Sequence, residues 1–511
     1  METRKLNLEI MQTQKLELLK LKRLGIDTYH ENILFLRADC SVCVSEGFTA
    51  LTRVLVQFNG KQIVATLNVV YAEILGAGEA ALSEIGFLRL GAQPGDCIEI
   101  NHLPPIDSLK DVRAKIYGNA LSEKAFQAII KDIASGYYAG VELSAFITAC
   151  SGNNLTLAEI IGLTKAMIES GTRLNWNREI VVDKHCVGGL PGNRTTPIVV
   201  AIVTAAGLTF PKTSSRAITS PAGTADTMEV ITPVDLSLET MQSVVEKEGG
   251  CIAWGGSVNL SPADDVLISV ERTLDIDSEG QMIASVLSKK AAAGSTHVVI
   301  DIPVGPTAKV RSMEEANLLE EKFIAVGKAI GLLIDVMITD GSQPIGRGIG
   351  PALEAKDCLA VLKNDKEAPL DLRLKSLQVA ARILELAETA EKGKGLAMAM
   401  NLLDSGAAYK KFERICMAQG GLKIPGHAAQ MTTIKSEVDG TVIDIDNRKI
   451  AKIAKLAGAP SSVNAGVVLL TPIGTKVSVG DVLFEIYAEA KGELTYALNY
   501  LNTGNQPISI V

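Results

Sequence analysis

The sequence predicts an α/β protein: a helical domain and a large α/β domain with a central mixed sheet, flanked by a β-rich N-terminal module and a C-terminal α+β domain. Three observations lead to this class. Short β-rich runs with turn signals occupy residues 31–100, apolar strands and helices alternate from about residue 179 to residue 390, and roughly the last 75 residues turn β-rich again. Because 511 residues exceed what one hydrophobic core holds, several domains are expected.

Local signals define the first two segments. In the N-terminal module, assigned to residues 1–103, Asn59-Gly60 marks a tight turn between two apolar runs. Residues 104–178 have a helical pattern, with a Thr-x-x-Glu capping box at residue 156. We therefore expect a small β module followed by a helical domain.

The next two segments follow from strand patterns. Residues 179–420 contain the strands "EIVVD" and "HVVIDIP" around the buried helix "TPIVVAIVTAAG", which predicts an α/β sheet whose ligands lie beyond the carboxyl ends of its strands. Part of this segment is expected to return to the helical domain. Residues 430–511 have the pattern of a lipoyl or biotinyl hammerhead, but the Met-Lys-Met carrier tripeptide is missing and Lys491 starts a solvated helix. A carrier role is therefore not favoured.

Composition limits the partners. A net charge of -8 gives no general basic field for nucleic acid, although a local cationic pocket for a small anion stays open. The apolar stretch from Pro197 to Phe210 is shorter than the roughly 18 residues of a membrane span. The charged start of the chain has no signal-peptide core. We expect a cytoplasmic protein that binds neither nucleic acid nor a membrane.

The eight cysteines indicate no metal site. Cys40 and Cys43 have CxxC spacing, but neither a second pair nor a nearby histidine cluster completes a zinc site. The sequence therefore predicts structural thiols, no metal and no cofactor.

The stretch "KHCVGGLPGNRT", residues 184–195, joins a strand to a helix. Glycines free backbone N-H groups there, the following helix adds its positive end, and Lys184 adds a full charge. These features predict a phosphate site, although the spacing fits neither an ATP loop nor a dinucleotide fingerprint. A purely structural turn is the alternative.

A second strand-to-helix stretch covers residues 212–230. It offers the cation Arg216 and several hydroxyls without interleaved aromatic residues, which favours compact oxyanions over stacked bases. Its hydroxyls belong to Ser214, Ser215, Thr219, Ser220 and Thr224. Two such stretches in tandem favour a binding site over a polar surface turn.

A third stretch, residues 273–290, carries groups for proton transfer. Ser285 and Lys289 share a helix face, and Asp277 lies just before that helix. A carboxylic acid near two phosphate sites suits acid catalysis on a leaving group. An ordinary charged helix start is the alternative.

The chain resembles the thymidine phosphorylase and AMP phosphorylase family over essentially its whole length. The match rests on "DKHCVGGLPGN", "KTSSRAITSPAGTADTME", "AWGGSVNLSPADD" and "SVLSKKAAAGSTHVVIDIPVG", and it favours the long subclass typified by archaeal AMP phosphorylases. The resemblance implies a class II nucleoside phosphorylase fold and a homodimer or larger homo-oligomer. It also implies phosphorolysis, in which inorganic phosphate attacks C1′ of a nucleoside or nucleotide and expels the base.

The resemblance also implies roles for single residues. Asp277 would be the proton donor, with Lys184 holding the attacking phosphate and His185 either structural or in contact with the sugar or phosphate. The phosphate would be bound by Lys184, Cys186, Thr196, Ser214 and Thr224, with Cys186 replacing the usual serine. The nucleotide would be bound by Gly189, Ser215, Arg216, Ala217, Ile218, Thr219, Ser220, Thr224, Ser285, Lys289 and Lys309.

The choice of base depends on one position. Pyrimidine phosphorylases of the family read the base with an arginine, and the matching residue here is Val270. We therefore expect AMP as the substrate. Thymidine is the alternative if Arg272, displaced along the helix, reads the base in place of the missing arginine. Two further readings stay open: a phosphoribosyltransferase that binds magnesium through Asp264 and Asp265, and a nucleotide-binding protein without catalysis.

Overall fold

The structure is a computed structural model that describes residues 18–28, 31–217, 220–258, 260–274, 276 and 278–511, apart from the side chain of Arg272. Residues 1–17, for which the sequence predicts no export signal, lie outside the described part. The chain divides into two compact units, one of residues 1–113 with 131–143 and one of residues 114–130 with 144–511. None of the described helices is long and apolar enough to cross a membrane.

A closed β-barrel lies in the first unit. Its elements are β1 Leu19–Leu21, β2 Ile33–Arg37, α1 Ser41–Ser45, β3 Arg53–Phe58, β4 Lys61–Val70, β5 Glu79–Leu82, α2 Glu84–Leu90 and β6 Cys97–His102. The strands close in the order β1-β5-β2-β4-β3-β6. Between β3 and β4, Asn59 and Gly60 have φ angles of 48° and 76°, which a two-residue hairpin turn requires. The turn predicted there is confirmed.

Four helices follow the barrel. They are α3 Leu109–Ile116, α4 Glu123–Ala134, α5 Gly140–Ala149 and α6 Leu157–Glu169, and the division between the two units passes through the first three. At the start of α6, Thr156 and Glu159 form the predicted capping box. The Glu159 carboxylate also lies 2.6 Å from the buried Lys115 ammonium group, so an ion pair joins the end of α3 to the start of α6.

The α/β segment begins with strand β7. Its elements are β7 Val182–Cys186, α7 Thr195–Ala205, β8 Phe210–Ser214, α8 Thr224–Glu229, α9 Leu238–Glu248, β9 Gly250–Trp254, a 3₁₀ turn Gly255–Ser257, α10 Pro262–Leu274, α11 Glu279–Ala292, β10 His297–Val304, α12 Met313–Ala329 and β11 Leu333–Asp340. The strands pair as β11-β10-β7 and β8-β9, and a bridge between Val181 and Thr209 joins the two groups.

The α/β class is confirmed, with one difference in the sheet. The sequence predicts a mixed sheet, but every described pairing among these five strands is parallel. Each strand is followed by at least one helix before the next begins, and a helical crossover returns the chain to the same edge. The carboxyl ends of the strands therefore meet at one edge.

Helix α7 forms the centre of the α/β core. Every residue from Thr195 to Thr204 is buried, which confirms the buried helix expected from the apolar stretch. Among the helices that follow β11, it packs most extensively against α14 Leu370–Leu386 and α16 Ala407–Gln419, which flank α15 Gly395–Asp404. The preceding helix in this group is α13 Pro351–Leu362. With both faces covered, α7 holds its N-terminus fixed at the carboxyl end of β7.

The C-terminal segment is the predicted α+β domain. Its elements are β13 Gln430–Lys435, β14 Gly440–Ile445, α17 Asn447–Leu456, β15 Gly466–Leu469, β16 Lys476–Val477, β17 Val482–Ala488, α18 Lys491–Asn502 and β18 Ile508–Ile510. One sheet has the order β12-β15-β17-β13, in which β12 is Gly348–Ile349 from the chain before α13. The α/β segment thus supplies an edge strand to the C-terminal sheet.

Candidate active site

Strand β7 carries three of the predicted site residues. The sequence predicts a strand that ends at Asp183, with Lys184, His185 and Cys186 in the loop. In the structure β7 continues to Cys186, because the longer strand β10 pairs with all three positions. The prediction for this boundary is therefore wrong, and the three side chains stand on a rigid element.

Loop A, residues 187–194, connects β7 to α7 through close backbone contacts. Gly189 and Gly192 have φ angles of 79° and 72°. A Cβ atom at Gly189 would lie 2.5 Å from the backbone nitrogen of Lys309, and one at Gly192 would lie 2.2 Å from the carbonyl oxygen of Ile345. Only glycine fits at either position. Loop A therefore has a defined path, and it brings Gly189 next to Lys309.

Lys184 is a buried cation on strand β7. Its side chain is 2% exposed, and its ammonium group donates to the hydroxyl oxygen of Thr195, 2.6 Å away, at the start of α7. Burial lowers the pKa of Lys184. The negative charge of Asp301 opposes this shift. An anion bound beside the ammonium group would gain a charge-assisted hydrogen bond in a low-dielectric environment.

Asp183 holds two lysines from other elements. Its carboxylate oxygens lie 3.1 Å from the ammonium group of Lys212 on β8 and 2.9 Å from that of Lys290 on α11. Burial would raise the pKa of Asp183, but the two ammonium groups keep it below its usual value. Burial lowers the pKa of Lys290 to about 7. This charged cluster ties β7, β8 and α11 together.

His185 is half-buried beside the same cluster. Burial and the nearby ammonium groups, first Lys290 and then Lys212, lower the pKa of His185 well below its usual value. The imidazole is therefore neutral at physiological pH and offers one donor and one acceptor.

Cys186 faces polar groups from two sides. The amide nitrogen of Asn193 donates to its sulfur, 3.1 Å away, and burial raises the pKa of the thiol to about 11. On β10, the register partner of Cys186 is Asp301, whose carboxylate lies 3.1 Å from the Lys375 ammonium group and accepts from the Thr339 hydroxyl at 2.6 Å. The thiol therefore stays protonated.

Loop B, residues 215–223, connects β8 to α8. The Asp226 carboxylate accepts from the backbone nitrogens of Ala217 and Gly223 at 2.6 and 2.8 Å, which fixes both ends of the loop. Just before the loop, the buried Ser214 hydroxyl has no hydrogen-bond partner in the described part of the chain. A buried unpaired hydroxyl is costly unless a ligand satisfies it.

Arg194 joins the two loops. From the end of loop A, its guanidinium donates to the Thr224 hydroxyl at 2.9 Å and to the Ala222 carbonyl oxygen at 2.9 Å. Its third contact is the Glu354 carboxylate on α13, 2.6 Å away. Loops A and B are therefore held side by side at the carboxyl edge of the sheet.

Arg216 is already paired with protein groups. Its guanidinium donates to a Glu229 oxygen at 2.9 Å and lies 4.9 Å from the centre of the Trp254 ring. The pairing with Glu229 raises the pKa of Arg216. Glu229 therefore competes with a phosphate group for the charge of Arg216.

Helix α11 places Ser285 one turn before Lys289. The Lys289 ammonium group lies 2.5 Å from the carboxylate of Asp264 on α10, which is 1% exposed. Burial opposes protonation of Lys289, but Asp264 outweighs it, so the pKa of Lys289 is raised. Asp264 and Asp265 are the acidic pair that would bind magnesium in a phosphoribosyltransferase, and Asp264 is bound by a lysine in this structure.

The remaining predicted residues divide into two groups. Thr196 is buried in the first turn of α7, and Ser215, Ala217 and Ser220 lie on loop B, where the Ser220 hydroxyl donates to the Ala222 carbonyl at 2.9 Å. Ile218, Thr219 and Asp277 lie outside the described residues. The structure therefore brings the predicted phosphate residues to one edge but describes no position for the predicted proton donor.

Three family models match this chain. The glycosyl transferase family helical bundle domain matches residues 112–171, its a/b domain matches residues 178–409, and the pyrimidine nucleoside phosphorylase C-terminal domain matches residues 441–507. The chain is also 57% identical to "Putative thymidine phosphorylase 2" of Acidovorax sp. (strain JS42), over 94% of this chain and 93% of that protein. The chain belongs to the thymidine phosphorylase and AMP phosphorylase family.

Other relatives agree with this family. "Putative thymidine phosphorylase" of Hahella chejuensis (strain KCTC 2396) is 54% identical over 98% of this chain and 99% of that protein. The anthranilate phosphoribosyltransferase of Thermus thermophilus covers 60% of this chain and 98% of its own, with a TM-score of 0.52 and 20% identity, a likeness of fold alone. As a family member, the chain is an enzyme, a pentosyltransferase of the phosphorylase class.

Several residues of this family member's site are missing from the sequence prediction. The chief ones are Asp183, Asn193, Arg194, Lys212, Lys290 and Asp301. One signal was present, because Asp183 directly follows the apolar run of residues 180–182, and a charge that becomes buried needs partners. Arg194 gave no comparable signal, since its partner Glu354 is distant in sequence.

Proposed function

We propose that the protein cleaves the N-glycosidic bond of a nucleoside 5′-monophosphate by phosphorolysis, with AMP as the substrate and adenine and ribose 1,5-bisphosphate as the products. The observation that carries the proposal is the buried Lys184 ammonium group, which donates to a neutral hydroxyl at the start of α7. Together with the unpaired Ser214 hydroxyl, it supports binding of inorganic phosphate between loops A and B.

In the proposed reaction, a phosphate oxygen forms a bond to C1′ as the bond from C1′ to the base nitrogen breaks. C1′ passes through a cationic state like that of glycoside hydrolysis. Lys184 and the N-H groups at the start of α7 hold the anion beneath this carbon, which removes much of the entropic cost of the encounter. Neutral His185 is proposed to contact the sugar or the phosphate.

The leaving base requires a proton. We assign this role to Asp277 by family resemblance, because a protonated carboxyl group can donate to a purine nitrogen as the bond breaks. Ser285 and Lys289 on α11, with Lys309 beside loop A, are proposed to contact the nucleotide. The proposal requires inorganic phosphate and no cofactor, and we expect a homodimer or larger homo-oligomer.

Two features support AMP over thymidine. Val270 occupies the position where pyrimidine phosphorylases carry their base-reading arginine, and a valine leaves the carbonyl groups of thymine unpaired. The hydroxyls of loop B suit a 5′-phosphate, with Arg216 joining them if it leaves Glu229.

Thymidine phosphorolysis is the second candidate. It is favoured by the names of the relatives in Acidovorax and Hahella, which are 57% and 54% identical to this chain.

The test is a phosphate-dependent base-release assay with AMP, CMP, UMP, adenosine, thymidine and uridine, run with and without EDTA. Release from AMP that needs phosphate and withstands EDTA is the expected result. Release from thymidine alone would replace AMP by the second candidate, and the absence of phosphate-dependent release from all six would refute phosphorolysis. Dependence on magnesium would favour the phosphoribosyltransferase reading.

A further inference from the structure

We propose that Arg194 is a positioning residue that turns the Thr224 hydroxyl into a donor aimed at a bound phosphate group. This inference rests on the proposed phosphorolysis.

The contacts of Arg194 are directional. One terminal nitrogen donates to the Thr224 hydroxyl oxygen and the other to the Ala222 carbonyl oxygen, both at 2.9 Å. Its Nε atom donates to Glu354 at 2.6 Å. A planar guanidinium can serve three acceptors in fixed directions at once, which a lysine cannot.

These contacts determine what the Thr224 hydroxyl can do. A hydroxyl has one proton to donate and two lone pairs to accept with. Because Arg194 occupies one lone pair, the Thr224 hydroxyl is polarised as a donor, and none of the described residues accepts its proton in a hydrogen bond. A phosphate oxygen at this point would complete the arrangement.

Glu354 holds Arg194 in place. Its side chain is 1% exposed and accepts from the Thr227 hydroxyl at 3.0 Å as well as from Arg194. Because the ion pair with Glu354 cancels the charge of Arg194 locally, the expected contribution of Arg194 is orientation of Thr224 rather than attraction of the anion.

The test compares Arg194→Met/Glu354→Gln with the wild type. Changing both residues avoids a buried unpaired carboxylate, which would itself repel phosphate. A matched control is Arg382→Met/Asp335→Asn, because the Arg382 Nε atom donates to Asp335 at 2.7 Å in a pair that contacts neither loop. Thr224→Val is made in the wild type and in both double variants.

Binding is measured by calorimetry with inorganic phosphate alone, AMP alone and adenosine alone. In the wild type and the control, Thr224→Val is expected to weaken phosphate binding about 10- to 100-fold, as for a lost hydrogen bond to a charged group. In Arg194→Met/Glu354→Gln, most of that loss should already be present, so Thr224→Val should add little.

Comparison of the three ligands shows which phosphate group the Thr224 hydroxyl contacts. If the double variant reduces the effect of Thr224→Val on the binding of inorganic phosphate, the group bound by Thr224 is the attacking phosphate. If it does so for AMP but not for adenosine, the bound group is the 5′-phosphate. An equal loss for adenosine, or the same effect of Thr224→Val in all backgrounds, would overturn the inference. If the double variant does not fold, Arg194→Lys replaces it in the comparison. This variant keeps a cation beside Glu354 but lacks the planar set of N–H donors of the guanidinium. Base release by the wild type, measured separately, tests the proposed function itself.

Discussion

The ammonium group of Lys184 lies 2.6 Å from the hydroxyl oxygen of Thr195, so strand β7 and the first turn of helix α7 share one buried hydrogen bond. A cation held in this way needs no reorganisation when an anion arrives. Preorganised charge of this kind is usually the largest contribution to catalysis.

Replacing Lys184 by Met should reduce kcat/KM for phosphate by roughly 10²- to 10³-fold, because it removes the preorganised charge from the proposed phosphate site. Steady-state kinetics with varied phosphate measure the loss. Lys165→Met, which removes an exposed lysine paired with Glu123 at 3.0 Å, is the control and should leave the rate unchanged. Equal rates for the two variants would contradict the role of Lys184.

Replacing Asp277 by Asn should lower kcat by about 10²- to 10⁴-fold, because an amide cannot deliver the proton that the leaving base needs. The loss should shrink for a purine nucleotide alkylated at N7, whose base departs without a proton. Single-turnover base release measures both effects, and Asp275→Asn is the neighbouring control. A full rate for Asp277→Asn with AMP would show that another group is the acid.

Replacing Cys186 by Ser should lower the phosphate KM by about threefold to tenfold, the value of roughly one hydrogen bond. The pKa of the Cys186 thiol is raised to about 11 by burial, so the group stays protonated and is a weak donor. A serine hydroxyl can still accept from Asn193 and donates more strongly. Steady-state kinetics with varied phosphate compare Cys186→Ser with Cys186→Ala. Identical KM values for these two variants would mean that the side chain of residue 186 makes no contact with phosphate.

Replacing Lys290 by Met should alter how stability depends on pH. Burial lowers the pKa of Lys290 to about 7, whereas an unfolded lysine titrates near 10.4. Between these values the unfolded chain binds one more proton, so this group makes the free energy of unfolding rise with pH, by at most about 1.4 kcal/mol per pH unit. The titratable groups that face Lys290 are Asp183, Lys212 and the neutral imidazole of His185, and none of them is replaced.

Urea unfolding of the wild type and of Lys290→Met at pH 7, 8 and 9 measures this effect. The wild type should gain stability relative to the variant across this range. A difference that stays constant with pH would mean that Lys290 keeps its proton in the folded protein.

Features set by neighbouring residues were predictable from the sequence. The hairpin at Asn59 and Gly60 depends on two backbone angles, and the capping box of Thr156 and Glu159 depends on one helical turn. The buried helix α7 followed from an uninterrupted apolar stretch. In each case the cause lies within a few residues of the effect.

Features set by distant partners were not predictable in the same way. Strand β7 extends to Cys186 because β10 supplies the pairing, and nothing in the local residues reports that length. The contacts of Asp183 with Lys212 and Lys290, and of Arg194 with Glu354, depend on how separate elements meet. The residues with phosphate chemistry were recognised by type, but the groups that hold them emerge only from tertiary packing.

The contact between Gly192 and Ile345 has a consequence for any attempt to shorten the gene. Loop A bonds to Ile345 through the backbone, and a few residues later Gly348 and Ile349 pair with Val468 and Val467 of the C-terminal sheet. One short piece of chain therefore carries loop A on one side and the C-terminal sheet on the other. A truncated protein that ends near residue 420 would lack strand β15, which pairs with Gly348 and Ile349. We therefore expect that removing the C-terminal segment would also disturb the position of loop A.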